Sequence, residues 1–156
     1  MEQKKTNGKR NRNAGHSWEL ENVKSFKSMY PEVATSRSCN RHRDAMKVDL
    51  AYADEYKHGR FPYNVQSKNY SKALAYMKLL SEMPQEDGII NVILHKQTAN
   101  SNGRFMTKGK YAILSYEDFF RLGAYRRGYE LLLSYVDFIP DKEREELERD
   151  LATLGL

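Results

Sequence analysis

Asp49 and the tripeptide Gln66-Ser67-Lys68 are the residues whose types and spacing could do chemistry together. Lys47-Val48-Asp49-Leu50-Ala51-Tyr52 reads as a short strand, with Val48 and Leu50 on one face and Asp49 on the other. Tyr63-Asn64-Val65-Gln66-Ser67-Lys68 reads as a second strand, and its period of two puts Gln66 and Lys68 on one face. The polar stretch from Asp54 to Arg60, with Gly59 near its end, is short enough to close an antiparallel hairpin. An acid, a neutral oxygen donor and an ammonium would then converge, the set that metal-assisted phosphodiester hydrolysis requires. The same residues would equally serve as the polar face of an exposed sheet.

The flanking elements decide between these readings. Residues 15–19 open a helix, with Ser17 as N-cap and Leu20, Val23, Phe26 and Tyr30 on one side at 100° per residue. Glu19 falls within that apolar face, whereas Glu21 points away with Lys24, Ser25 and Ser28 as ordinary surface. A carboxylate on a core-facing stripe is costly unless it is paired or binds a metal, and the alternative is a first-turn acid at the edge of the core. Pro31 ends this helix and Val33-Ala34-Thr35 forms a first strand. Residues 36–44 make a basic loop in which Arg37, Arg41 and Arg43 either contact a phosphate backbone or are simply solvated.

Beyond Lys68, Ala73, Tyr76, Met77, Leu80 and Met83 mark the buried face of a helix closed by Pro84. Residues 89–95 are the most apolar segment and read as a central strand. Residues 98–108 form a Gly/Asn/Ser loop, residues 111–114 a last strand, and Ser115 caps a short helix that stops at Gly123. The tail is helical, with one stripe of Tyr125, Tyr129, Leu132, Leu133 and Val136 and another of Leu147, Leu151 and Leu154. The expected organisation is a basic flexible arm over residues 1–13, a core over 14–123, and C-terminal helices over 124–156 that pack on the core or form a dimer contact. The arm carries Lys9, Arg10 and Arg12, and its composition suits a disordered solubilising tail, a phosphate-gripping arm, or both.

A chain of 156 residues is long enough for one core, and a net charge of +5 with pI near 9.2 favours a polyanionic partner. The single cysteine, Cys39, excludes an internal disulfide and suits a reducing, cytoplasmic compartment. No apolar run approaches a membrane span. His16, His42, His58 and His95 lack metal-ligand spacing, and no glycine-rich phosphate loop is present.

A helix with a core-facing Glu, then a strand, a basic loop, a strand with Asp and a strand with Gln-x-Lys form a recognisable order. From Gly15 to Leu122 the chain resembles the PD-(D/E)xK nuclease superfamily, and within it the archaeal-type and phage Holliday junction resolvases. The residues that carry the resemblance are Gly15-x-x-x-Glu19, Ser36-Arg37-Ser38, Lys47-Val48-Asp49 and Gln66-Ser67-Lys68. It departs from the usual pattern in having Gln66 where Glu is common and Val48 where proline is common.

The resemblance implies a restriction-endonuclease-like α/β fold, a central mixed β-sheet flanked by helices, with a helical C-terminal tail. It implies Mg²⁺, with Mn²⁺ as the alternative, held by Asp49 with Gln66, the Ser67 carbonyl and Glu19. Lys68 would orient or deprotonate the attacking water or stabilise transition-state charge, and Ser38, or secondly Ser36, would be the loop serine needed for activity. It implies a homodimer that cuts branched DNA, with Lys9, Arg10, Arg12, Arg37, Arg41 and Arg43 as phosphate contacts. The compartment is then the cytoplasm, the host's if the protein is phage-encoded. The alternatives are another repair, restriction or phage-processing nuclease of this superfamily, and a nucleic-acid-binding protein without cleavage activity.

Overall fold

The computed structural model describes residues 4–101, 104–135 and 140–154. Met1 to Gln3 of the expected arm and Val136 lie outside the described residues, as do the side chains of Leu147, Leu151 and Leu154. The chain divides into two units, Met1–Ser115 and Tyr116–Leu156. The boundary therefore falls eight residues before the expected one, because the C-terminal helix starts at Tyr116 and does not stop at Gly123.

The first unit is mixed α/β. Its elements are α1 (Lys4–Phe26), β1 (Val33–Thr35), α2 (Ser36–Cys39), α3 (Arg41–Ala45), β2 (Leu50–Tyr52), α4 (Glu55–His58), β3 (Tyr63–Tyr70), α5 (Tyr76–Ser81), β4 (Ile90–Ser101) and β5 (Arg104–Ile113). β1 and β2 form an antiparallel pair; β3, β4 and β5 form a three-stranded mixed sheet with β4 in the middle, parallel to β3 and antiparallel to β5. The central position expected for residues 89–95 is observed. Val33, Leu50, Tyr52, Phe61, Val65 and Val92 make the core, with Val23, Phe26, Tyr30, Tyr63 and Leu94 packed around it. Phe26, Tyr30, Phe61 and Tyr63 meet at ring-centroid distances of 5.3 to 6.3 Å.

Several expectations are corrected. The Asp54–Arg60 connector does not close a hairpin. Asp54 caps α4 by accepting from the Tyr56 and Lys57 amides, and Gly59 at φ 73° then redirects the chain toward buried Phe61. β2 consequently pairs with β1, not β3. α1 begins at Lys4, so Ser17 lies inside the helix and the arm from Lys4 onward is its first turns.

The inward stripe of α1 includes Trp18 and Asn22, which are buried, whereas Leu20 is half exposed. Met77 is exposed as well, while Met83 is core. The expected loop over residues 98–108 is instead strand on both sides: β4 and β5 pair as far as Ser101 and Arg104. Residues 36–45 form α2 and α3, with Asn40 capping α3 by accepting from the Arg43 amide.

α3 ends in a Schellman motif. The Val48 amide donates to the Arg43 carbonyl and the Lys47 amide to the Asp44 carbonyl, with Lys47 left-handed at φ 62°. That turn aims Val48 into the core and sets Asp49 at the start of β2. Arg43, expected at a phosphate, is instead only 5% exposed and ion-paired with Glu55 at 3.1 Å and Glu86 at 2.8 Å. It ties α3 to α4 and to the segment before β4.

The second unit comprises α6 (Tyr116–Leu133) and α7 (Asp141–Leu154). α6 runs straight through Gly123 and Gly128, since an interior glycine costs only about 1 kcal/mol and nothing at that point supplies a stop. Among the described residues no helix is long and apolar enough to cross a membrane.

Removing a buried ion-pair partner leaves uncompensated charge. Arg43→Ala should therefore lower unfolding free energy by about 3 kcal/mol in urea titrations, whereas exposed Arg41→Ala should change it by less than about 0.5 kcal/mol. Equal effects would return Arg43 to the surface.

Candidate active site

Asp49 is held against β3 at two points. Its amide donates to the Val65 carbonyl at 2.7 Å, and its Oδ2 accepts from the Ser67 amide at 2.5 Å. Asp49 thus brackets Gln66 along the strand, and its own carbonyl accepts from the Ser36 amide at 2.8 Å. Ser67 is fixed from the other side, because Asn22 of α1 donates to its Oγ at 3.0 Å. α1 is docked at two further points: Trp18 donates to the Leu94 carbonyl at 2.8 Å, and Asn69 donates to the Ala14 carbonyl at 3.1 Å.

The Asp49 carboxyl has its pKa raised to about 6. Burial is the main cause, opposed by the Ser67 amide; the nearby Glu19 carboxylate raises it further and Lys68 lowers it. The Glu19 side chain is 12% exposed and is turned out of open solvent as expected, with His16 Nδ1 at 3.4 Å and Arg37 Nη2 at 3.6 Å from its oxygens. Arg37 also lies 3.9 Å from Asp44.

Gln66 is 3% exposed. Its amide donates to the Lys47 carbonyl at 3.4 Å, but its Oε1 has no hydrogen-bond partner among the described residues. A buried acceptor left unpaired is unusual in a folded protein. Among the described residues no cluster of three or more His, Cys, Asp or Glu side chains is placed to hold a metal.

The two loop serines are placed differently. Ser38 is exposed and bonded only to Thr35, donating to its carbonyl at 2.7 Å and accepting from its hydroxyl at 2.9 Å. Ser36 is fully buried beside the Asp49 carbonyl, and its Oγ has no partner among the described residues. Arg37 and Arg41 remain exposed, as do Lys9, Arg10 and Arg12.

Glu21, read as ordinary surface, is corrected. It takes Lys96 on one oxygen at 2.6 Å and Lys110 on the other, and the two hydrogen bonds hold its pKa below the usual carboxylate range. The same lysines lie 5.2 and 5.7 Å from the Trp18 ring centroid. Asn22 escaped a reading based on hydrophobicity because a buried amide looks like surface in sequence; its spacing of four from Trp18 was the available signal. His95 is a satisfied core histidine, with Tyr76 Oη at 2.7 Å on Nδ1 and the Tyr70 carbonyl at 3.0 Å on Nε2.

No protein-family model matches this chain, and neither a curated protein nor a solved structure is similar to it.

A carboxyl whose folded pKa lies near 6, against 3.8 ordinarily, favours the folded state when protonated. Its contribution to stability is complete below about pH 4 and is lost as pH rises through about 6. Asp49→Asn keeps the acceptor for Ser67 and cannot ionise. It should exceed the wild type in stability by about 2 kcal/mol at pH 7.5, allowing for partial exposure, with the gap closing below pH 4. Chemical denaturation across pH checks this; a variant less stable than wild type at pH 7.5 would contradict it.

Proposed function

We infer that this protein is a metal-dependent DNA endonuclease acting on branched DNA, with the four-way junction as preferred substrate. The observation that carries the reading is the bracket itself. A half-buried Asp49 encloses Gln66, whose amide oxygen is unpaired, with Lys68 and Glu19 close enough to act on the same carboxyl. An uncompensated acid in such a place lowers stability, and groups that do so are retained at functional sites.

Asp49, Glu19, Gln66 Oε1 and the Ser67 carbonyl would hold Mg²⁺, or Mn²⁺. When bound, the ion supplies Lewis-acid polarisation of the scissile phosphate. Lys68 holds a positive charge beside Asp49, where it orients the attacking water and offsets charge accumulating on phosphate oxygens in the transition state. Arg37, exposed and loosely held by Glu19 and Asp44, is free to take a non-bridging phosphate oxygen. Asn22 and the Ser67 amide keep the Asp49 carboxylate oriented through the reaction.

Paired cuts at a junction call for two sites, and a second copy of the chain belongs to the proposal. Tyr116, Phe119 and Phe120 on one side of α6, and Tyr125 and Leu132 on the other, are more than half exposed, and exposed apolar side chains of this kind support self-association. The reading as a DNA-binding protein without cleavage activity draws on one observation, the lack of a three-acid cluster among the described residues.

Nicking assays on four-way, flapped and linear DNA with and without Mg²⁺ separate these readings. Wild-type protein should place symmetric nicks in junctions only with metal. Asp49→Asn and Lys68→Ala should each lower the rate by at least about a hundredfold while binding is kept. Metal-independent or absent cleavage would leave only the binding reading, and equal rates on linear duplex would remove the junction preference.

Glu19→Gln should weaken Mn²⁺ binding measured calorimetrically and leave thermal stability near wild type. Glu21→Gln should do the reverse, because it breaks the clamp on Lys96 and Lys110. The opposite pattern would take Glu19 out of the site.

A further inference from the structure

The first half of α1 is more than a charged tail. At 100° per residue, Lys9, Arg12 and His16 fall on one helix face at spacings of three and four, and the next residue of that row is Glu19. The His16–Glu19 contact at 3.4 Å is the structural sign of the row. Asn11, Ala14, Trp18 and Asn22 lie on a different face. Of these, Asn11 and Ala14 line a cleft with Asn69, Tyr70, Ser71 and Thr98, and Trp18 and Asn22 bond to Leu94 and Ser67. Arg10 projects to the opposite side of the helix from Arg12, about 160° away.

Three observations make the row a candidate surface. Lys9, Arg12 and His16 are exposed. Lys9 and Arg12 have no ion-pair partner among the described residues, whereas Lys47, Arg60, Lys96 and Lys110 are each ion-paired with a glutamate, Lys96 and Lys110 sharing Glu21. The row also ends at the carboxylate that acts on Asp49, where Arg37 is 3.6 Å from Glu19. Since α1 is anchored to the sheet from Ala14 onward, the row has a fixed direction relative to the site.

We propose that Lys9, Arg12 and His16, continued by Arg37, form a straight track for one phosphate strand of double-stranded DNA that leads into the Asp49 site. From Lys9 to Glu19 the helix rises about 15 Å, the axial length of about four base pairs. A single arm of duplex lies along α1, and the phosphate presented to Asp49 is the one at its end. A row of this kind reads phosphate positions and not bases, so it fixes the arm's direction without imposing a sequence. The position of the track relative to a cut rests on the cleavage reading above; the binding track itself does not.

The test is titration of a labelled 16-base-pair duplex without divalent metal, over a range of salt concentrations, using full-length protein. Lys9→Gln with Arg12→Gln should reduce the slope of log affinity against log salt by about 1.8, and each single change should weaken binding roughly eightfold at about 0.1 M salt. Arg10→Gln alters net charge identically on the other side of the helix and should change the slope by less than a third as much as Arg12→Gln. These are exposed helix positions, and circular dichroism verifies that each variant is folded.

Equal effects of Arg10→Gln and Arg12→Gln would overturn the track in favour of a general polycation, and so would unchanged slopes. Binding to anionic phosphatidylserine vesicles with this face dependence, without duplex binding, would overturn it in favour of a membrane surface. If the face-dependent loss is seen but Mg²⁺ elicits no cleavage, the track stands and the cleavage reading fails. If cleavage proceeds with unchanged slopes, the track alone fails. Neutral methylphosphonates placed two to five phosphates from the cut should weaken wild-type binding and leave the double variant unaffected; wild-type binding indifferent to them would also overturn the track.

Discussion

The placement of Asp49 against β3 is the constraint on which the rest of this molecule turns. One residue contributes an amide to Val65, a carboxylate oxygen to the Ser67 amide and a carbonyl to the Ser36 amide. Through these bonds the β1–β2 pair, the short helices and the three-stranded sheet share a junction. The cost is a carboxyl withdrawn from water, whose pKa rises to about 6 because burial outweighs the help of the Ser67 amide. A purely structural junction would be more stable with a neutral side chain. That this position holds an acid is the physical basis for the proposed function.

Around this centre the charges are sorted by burial. Arg43, nearly inaccessible, is compensated by Glu55 and Glu86 and acts as a structural tie. Glu21 is compensated by two lysines stacked beside Trp18, which fastens α1 to β4 and β5. Lys9, Arg12, Arg37 and Arg41 are among the cations that remain exposed. The excess of positive charge is therefore partly spent inside the fold, and net charge overstates the binding surface. Direction and spacing of the exposed cations matter more than their number.

The orphaned oxygens give the site its second signature. Gln66 Oε1 and Ser36 Oγ are buried and unpaired among the described residues; Ser36 bonds the Asp49 carbonyl through its amide, and Gln66 lies between Val65 and Ser67, the two residues of β3 that Asp49 bonds. Val65, the neighbour of Gln66, belongs to the apolar core with Val33, Leu50 and Val92.

Much of this was legible from residue order. Alternation and β-branching reveal β1 and most of β3, and an apolar run marks β4, because those signals depend on local chemistry alone. Asp49 lying against the Gln66-Ser67 segment was legible too, although the expected hairpin is not what brings them together. What residue order left undetermined were properties set by partners distant along the chain. Arg43 and Arg41 are the same residue type in one short helix, and only Glu55 and Glu86 make the first internal.

Trp18 and Leu20 compete for the inward side of α1, and the Leu94 carbonyl awaiting an indole N–H decides the contest. The choice between Ser36 and Ser38 turns on a backbone bond to Asp49 across thirteen residues. Pairing of β2 with β1, and of β3 with β4, follows from Asp54 capping a helix where a turn was expected. Propensity and period are written locally and can be read one segment at a time. Burial, pairing and pKa are sums over neighbours, and the neighbours exist only once the chain has folded.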